Sequence, residues 1–115
     1  MLGVHESIKF NPTEELTIEK LHEIVSELYP ERKVYFRKTL VGRFVCVNIN
    51  PFNAVFCKIN TDKKTNQMYL RCVIDNTIMG AIFFGGIIAY LVARSKGNEI
   101  MARIINEIER RYAKG

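Results

Sequence analysis

The sequence predicts an α+β fold: an N-terminal helix, an antiparallel sheet of about four strands, a hydrophobic helix and an amphipathic C-terminal helix. Three patterns indicate this order: a helical repeat of apolar residues near the N-terminus, a longer stretch of alternating apolar and polar residues, and a run without charged residues. A chain of 115 residues has room for one hydrophobic core. We therefore divide it into a small α+β domain at 1–75, a hydrophobic helix and candidate membrane segment at 76–94, and an amphipathic helix at 95–115.

The first helix is expected between a threonine N-cap and Pro30. Thr13 or Thr17 can accept a hydrogen bond from the first turn, and acidic residues follow at the positive end of the helix dipole. Pro30 cannot continue a helix, so the repeat ends there. Apolar residues at spacings of three and four form one stripe: Ile18, Leu21, Ile24, Val25 and Leu28. Before this helix we expect only one short strand, near residues 7–10.

Residues 33–75 change to a period of two, in four runs separated by turn residues. Short connections make neighbouring strands antiparallel. One side of the last three runs is expected to face the first helix: Val45, Val47, Ile49, Val55, Cys57, Ile59, Met68, Leu70, Cys72 and Ile74. The other side carries Phe44, Cys46, Asn48, Phe56, Lys58, Tyr69, Arg71 and Val73. Because this second side is too apolar to be only a solvated surface, five of its residues are candidate exposed contacts: Phe44, Phe56, Lys58, Tyr69 and Arg71.

The hydrophobic helix has the sequence NTIMGAIFFGGIIAYLVA, which begins at residue 76 and carries no charge from 77 to 93. At about 1.5 Å per residue the uncharged helix would be roughly 25 Å long, somewhat short of the ~30 Å hydrocarbon core of a bilayer. Small residues recur every four positions and form a seam along which another helix could approach closely: Ala81, Gly85, Ala89 and Ala93. The remaining faces are apolar, so the helix needs cover on every side.

A bilayer would supply that cover, which leads us to expect a non-enzymatic, membrane-attached module. It would self-associate or recruit a membrane protein partner through the seam, with lipid as a further partner. Residues 1–7 do not resemble a signal peptide, so we expect the N-terminal part on the cytoplasmic side. A single pass would separate the sheet from the terminal helix, whereas a re-entrant hairpin turning at Gly85 and Gly86 would keep them together.

A protein surface is the alternative cover for the same helix. A monomer of this size has little interior, so a soluble cytoplasmic homodimer would bury the helix in its core or in its dimer interface. Replacing Gly85 by leucine should then disrupt the dimer through overpacking.

The C-terminal segment is expected to be a separate amphipathic helix. Its apolar stripe consists of Ile100, Met101, Ile104, Ile105, Ile108 and Tyr112. Residues 95–98 interrupt the pattern, because Gly97 can adopt the positive φ of a helix C-cap and Asn98 can cap the next helix. The sequence therefore favours two helices joined by a tight turn over one continuous helix.

No catalytic, cofactor-binding or metal-binding residues are predicted. Cys46, Cys57 and Cys72 are odd in number, lie in apolar strands and lack the spacing of metal ligands, so we expect buried free thiols. His5 and His22 have no nucleophile or ligand set near them in the sequence.

Nucleic acid is not an expected partner. Phe44 and Tyr69 could stack on bases while Lys58 and Arg71 contacted phosphates. The net charge of +5 is nevertheless spread along the chain. The expected order of elements also differs from that of the RNA-recognition motif, so the sequence alone does not favour this interaction.

Overall fold

A computed structural model describes residues 5–11, 15–40, 42–62, 64–65, 67–77 and 86–112, and for 5, 6, 76 and 86–93 it describes the backbone but not the side chains. The elements are β1 (His5–Phe10), α1 (Ile18–Leu28), β2 (Val34–Thr39), β3 (Gly42–Asn48), β4 (Asn53–Asp62), β5 (Gln67–Asn76) and α2 (Gly86–Tyr112). The predicted α+β class is confirmed.

The sheet has five antiparallel strands in the order β1-β5-β4-β3-β2. The expectation of about four strands with a helix first is therefore corrected, because a full strand precedes α1 and pairs with β5. That pairing joins the two most distant strands in the sequence, and a local pattern of alternation does not reveal such a partner. Strands β1 and β2 form opposite edges of the sheet, and α1 connects them.

Helix α1 begins and ends as its sequence predicts. The hydroxyl oxygen of Thr17 accepts a hydrogen bond from the backbone N–H of Lys20 at 3.1 Å, which caps the first turn. At the other end, the N–H of Tyr29 donates to the carbonyl oxygen of Val25, and Pro30 follows. The predicted stripe faces the core, where Leu21, Ile24 and Val25 are buried and Ile18 and Leu28 pack at its margin.

Both helices cover one face of the sheet, which we call the inner face. Helix α1 contacts β2 and β3, whereas α2 contacts β1, β4 and β5. All ten strand residues predicted to point inward either belong to the resulting core or pack against it. The predicted stripe of the C-terminal segment is also buried there: Ile100, Met101, Ile104, Ile105, Ile108 and Tyr112.

Residues 95–98 do not interrupt the C-terminal helix, so the expected tight turn is wrong. Helix α2 continues without a break from Gly86 to Tyr112. Among the glycines that the structure describes, the one with a positive φ is Gly42, at 122°. Gly97 is instead buried, and a Cβ at its position would lie 2.5 Å from Cδ1 of Ile74 and 3.0 Å from Cδ1 of Ile49. Glycine therefore serves a close approach of the helix to the sheet.

The two ends of the apolar segment, residues 78–93, lie at the same end of the sheet. Just before it, the N–H of Thr77 donates to the carbonyl oxygen of Phe52 at 2.9 Å, and the hydroxyl of Thr77 donates to that of Pro51 at 2.6 Å. Just after it, α2 reaches the sheet at Gly97, against Ile74. The chain therefore leaves the folded domain and returns to it at the same end of the sheet.

Much of the predicted packing seam is outside the described residues. Ala81 and Gly85 fall in the part of the chain that the structure leaves undescribed. Ala89 and Ala93 belong to α2, but only their backbone is described.

Candidate functional site

The five predicted sheet contacts lie together on the face of the sheet opposite the helices. Phe44 is on β3, Phe56 and Lys58 are on β4, and Tyr69 and Arg71 are on β5. Side chains alternate between the two faces of a strand, and the register of β4 and β5 brings all five positions to the same side. We call this side the outer face, and it also includes Tyr35, Arg37, Cys46, Asn48, Ala54 and Val73.

A row of basic residues crosses the middle of the outer face, perpendicular to the strands. Arg37 of β2 lies opposite Phe44, and Lys58 lies opposite Arg71. The ammonium nitrogen of Lys58 is 5.8 Å from the centre of the Phe44 ring, which joins the two halves of the row. We call Arg37, Lys58 and Arg71 the cationic row.

The aromatic rings of the outer face lie between the sheet and the cationic groups. Phe44 and Phe56 meet edge to face, with ring centres 5.8 Å apart and planes inclined by 65°. The guanidinium carbon of Arg37 lies 5.3 Å from the centre of the Phe56 ring. Such contacts hold the charged groups over the rings, so their orientation is fixed by packing.

Exposure separates the predicted aromatic contacts into two kinds. Phe56 is only 5% exposed, so its prediction as an exposed contact is wrong, since it packs with Cys46, Ala54 and Val73 in a second, smaller core. Tyr69 is 38% exposed and presents its side chain to solvent. Of these two aromatic residues, Tyr69 is thus the one available for direct contact.

The acidic residues of the outer face lie at its margins. Asp75 is near the end of β5, and Asp62 is at the β4–β5 hairpin. Asp62 accepts a hydrogen bond from the N–H of Lys64, which is the main cause of its lowered pKa. Asp75 lies on the same strand and face as Arg71.

Two basic residues of this face were missed by the sequence analysis. Arg37 could have been found from the alternation of β2, which places it on the same side as Tyr35. Lys9 lies opposite Tyr69, and this position depends on the pairing of β1 with β5. No local pattern near Lys9 predicts that neighbour.

Burial changes the acidity of groups beneath the outer face. Burial raises the pKa of the Cys46 thiol from 9.0 to about 12. Burial likewise raises the pKa of Tyr35, whose hydroxyl donates to Oδ1 of Asn48 at 3.0 Å. Both groups therefore stay protonated at neutral pH and are structural rather than reactive.

The predicted buried thiols are confirmed on the inner face as well. Cys57 and Cys72 are registered partners with their sulfurs 3.1 Å apart, and both are free and buried. The hydrogen bond with Cys72, followed by burial, holds the pKa of Cys57 well above its ordinary value. In the described part of the chain, no group of three or more His, Cys, Asp or Glu residues is placed to hold a metal ion.

A second basic region surrounds the end of the sheet from which the apolar segment leaves. Arg94 and Lys96 are exposed on α2 just before Gly97. At the same end, one guanidinium nitrogen of Arg32 donates to the carbonyl oxygens of Asn48 and Ile49 at 3.1 and 3.0 Å. Basic side chains thus flank the apolar segment where it meets the folded domain.

A shallow cleft of about 280 Å³ lies between the end of α1 and the C-terminal half of α2. It is lined by Leu28, Arg103, Asn106, Glu107 and Arg110. Glu107 forms ion pairs with Arg110 and Arg111, and the Arg103 guanidinium lies 4.9 Å from the centre of the Tyr29 ring. Glu107 thus pairs with two arginines, and the cleft lining carries more positive than negative charge.

None of the helices in the described ranges is both long and apolar enough to cross a membrane. Comparison with known proteins finds no matching protein-family model, no similar curated protein and no similar solved structure.

Proposed function

We propose that the chain is a non-enzymatic, membrane-attached module whose apolar segment enters a bilayer as a loop and leaves it on the same side. The observation that carries this proposal is the position of Thr77 and Gly97 at one end of one sheet. A segment that crosses a bilayer once has its ends on opposite sides. A loop with both ends fixed in one folded domain is instead suited to re-entry.

The dimensions of α2 support insertion to a limited depth. Eleven helical residues precede Gly97, from 86 to 96. They span about 16 Å at 1.5 Å per residue, roughly half the thickness of a hydrocarbon core. A helix satisfies its own backbone hydrogen bonds, which is the main requirement for a polypeptide in lipid.

The charges at the base of the segment fit an interfacial position. Arg94 and Lys96 are exposed, and Arg32 lies at the same end of the sheet. Long basic side chains extend toward lipid headgroups while their aliphatic parts stay near the hydrocarbon. We therefore propose that this end of the sheet faces the membrane and that the whole folded domain lies on its cytoplasmic side.

Self-association or recruitment of a membrane protein through the seam is part of the proposal. Ala81, Gly85, Ala89 and Ala93 recur every four residues, a spacing that allows close packing of two helices in lipid. Replacing Gly85 by leucine would fill the seam with a large side chain and hold the two helices apart. We expect this variant to lose energy transfer between labelled copies in vesicles while it still binds the vesicles.

Flotation of the full chain with neutral lipid vesicles tests membrane attachment. We expect the protein to float with the vesicles and the double variant Ile88→Lys/Leu91→Lys to remain in the dense fraction, because each lysine costs about 2.5–3.5 kcal/mol in the hydrocarbon. Ala102→Lys is the matched control, since residue 102 is an exposed position of the same helix. A wild-type chain that stays in the dense fraction, as a soluble homodimer would, contradicts the proposal.

A further inference from the structure

Two thiols meet on the inner face of the sheet. Cys57 of β4 and Cys72 of β5 are registered partners on adjacent antiparallel strands, and their sulfur atoms are 3.1 Å apart. The two side chains are therefore turned toward each other inside the core, where both residues are buried. Both thiols are free, so the contact joins two groups that can still react with each other.

The strand pairing also sets a backbone spacing close to that of a disulfide. Cβ atoms of directly opposed residues in antiparallel strands lie about 4.5–5.5 Å apart, and those of a disulfide lie about 3.5–4.5 Å apart. To form an S–S bond of about 2.05 Å, the two sulfurs must approach by about 1 Å from their present distance. Pairing of β4 with β5 on both sides of the cysteines keeps the two positions in register during this approach.

The third thiol is held away from this pair by the sheet itself. Cys46 lies on β3 opposite Phe56 and packs on the outer face, in the smaller core. Cys57 lies opposite Val45 and packs on the inner face. Since the structure describes all three cysteines of the chain, the fold brings one pair of thiols together and leaves Cys46 apart from it.

Burial decides which oxidant can act on the two thiols. The hydrogen bond with Cys72 and burial raise the pKa of Cys57, so the reactive thiolate is scarce in the folded state. A large thiol reagent cannot reach either sulfur, whereas hydrogen peroxide is small enough to enter when the core opens locally. The first oxidation is therefore slow, and the second step is fast because the other sulfur is already in contact.

We propose that Cys57 and Cys72 form a redox-modification site, at which hydrogen peroxide converts the two thiols into a disulfide that joins β4 to β5. First, the sulfur of one cysteine attacks a peroxide oxygen, the O–O bond breaks, and a sulfenic acid and one water form. The second sulfur then attacks the first, the S–O bond breaks, and the disulfide and another water form.

The two thiols together lose two electrons and two protons, and one peroxide molecule is reduced to two water molecules. A dithiol such as dithiothreitol reverses the modification by thiol–disulfide exchange when the core opens. This inference concerns the inner face of the sheet and does not depend on membrane attachment.

Counting free thiols by mass spectrometry tests the proposal with the full, folded chain in a non-ionic detergent. The chain is treated with hydrogen peroxide, the reaction is stopped with catalase, and the protein is then unfolded and alkylated. We expect the untreated chain to take up three alkyl groups and the treated chain to take up one, without a change to a dimer mass. Dithiothreitol before alkylation should restore all three.

Cys46→Ala is the matched control, because it removes a buried thiol from the opposite face and leaves only the proposed pair. We expect it to lose both of its thiols at the wild-type rate and to regain both with dithiothreitol. Cys57→Ala and Cys72→Ala should keep both of their thiols over the same time, and circular dichroism checks that each variant is folded.

The proposal is overturned if folded Cys46→Ala keeps both thiols, since this variant contains the proposed pair alone. Loss of both thiols from Cys57→Ala or Cys72→Ala at the wild-type rate would also overturn it, because Cys46 would then be a partner. A disulfide that forms only after the chain is unfolded in urea would have the same consequence, since the folded geometry would then not be its cause.

Discussion

Gly97 of α2 lies so close to Ile74 of β5 that a Cβ on residue 97 would be 2.5 Å from Cδ1 and 2.9 Å from Cγ1 of the isoleucine. This contact fixes α2 to the end of the sheet at the place where the helix continues toward the apolar segment. Because Thr77 is anchored three residues after Ile74, the same small region holds both ends of that segment.

The first prediction concerns this contact. Gly97→Ala should destabilise the protein by up to about 2 kcal/mol, because overpacking costs about 1–3 kcal/mol and the higher helix propensity of alanine offsets about 1 kcal/mol of it. In an Ile74→Val background, which lacks Cδ1, the same substitution should cost about 1 kcal/mol less. Urea unfolding of the four proteins in this double-mutant cycle measures the difference.

Ser95→Ala serves as the control, since residue 95 is an exposed position of the same helix and alanine there should change the stability only slightly. If Gly97→Ala costs the same with isoleucine and with valine at position 74, the two residues are not in the contact described.

The second prediction concerns topology. Asn60 is exposed on β4 and Glu109 is exposed on α2, and both belong to one folded domain. Asn60→Cys and Glu109→Cys should therefore react with an impermeant maleimide from the same side of sealed membrane vesicles, while the buried native thiols stay unreactive. Labelling from opposite sides would mean that residues 78–93 cross the membrane once. Vesicles opened with detergent give the total reactive thiol for comparison.

Local patterns in the sequence were sufficient for the inner half of the molecule. Alternation placed Val45, Val55 and Leu70 in the core, and a helical period placed Ile104 and Ile108 against them. In each case one face of one element decides the position of a side chain, and the periods of two and 3.6 carry that information.

Long-range pairing and close packing were not available from those patterns. The strand β1 needs β5 as its partner, and the cationic row depends on the register of four strands. Gly97 has two physical uses, a positive φ at a helix end or a close approach inside a helix, and the sequence does not distinguish them. The structure selects the second because Ile74 occupies the space that a side chain would need.

The third prediction compares one substitution on the two faces of the sheet. Arg71→Glu should stabilise the protein by about 0.2–1 kcal/mol, because it places a carboxylate at the position paired with Lys58, and opposite charges at paired strand positions attract. Arg43→Glu should destabilise it, since Arg43 forms an ion pair with Glu19 at 3.0 Å and lies 4.7 Å from the centre of the Phe36 ring. Denaturant unfolding at low salt measures both, and a loss of stability in Arg71→Glu would contradict the assigned register.

The fourth prediction follows from the raised pKa of Cys46. Burial raises this pKa from 9.0 to about 12, so the folded state holds the thiol proton more tightly than the unfolded state. The resulting stabilisation is complete below pH 9.0 and is lost as the pH rises toward about 12. Within that window, each such thiol lowers the free energy of unfolding by up to about 1.4 kcal/mol per pH unit.

Cys46→Ala should therefore have a shallower dependence of unfolding free energy on pH than the wild type, by about that slope. Val45→Ala, which alters a neighbouring buried residue without a titrating group, should lower the stability at every pH and leave the slope unchanged. Equal slopes for Cys46→Ala and the wild type would mean that the thiol is accessible to water in the folded state.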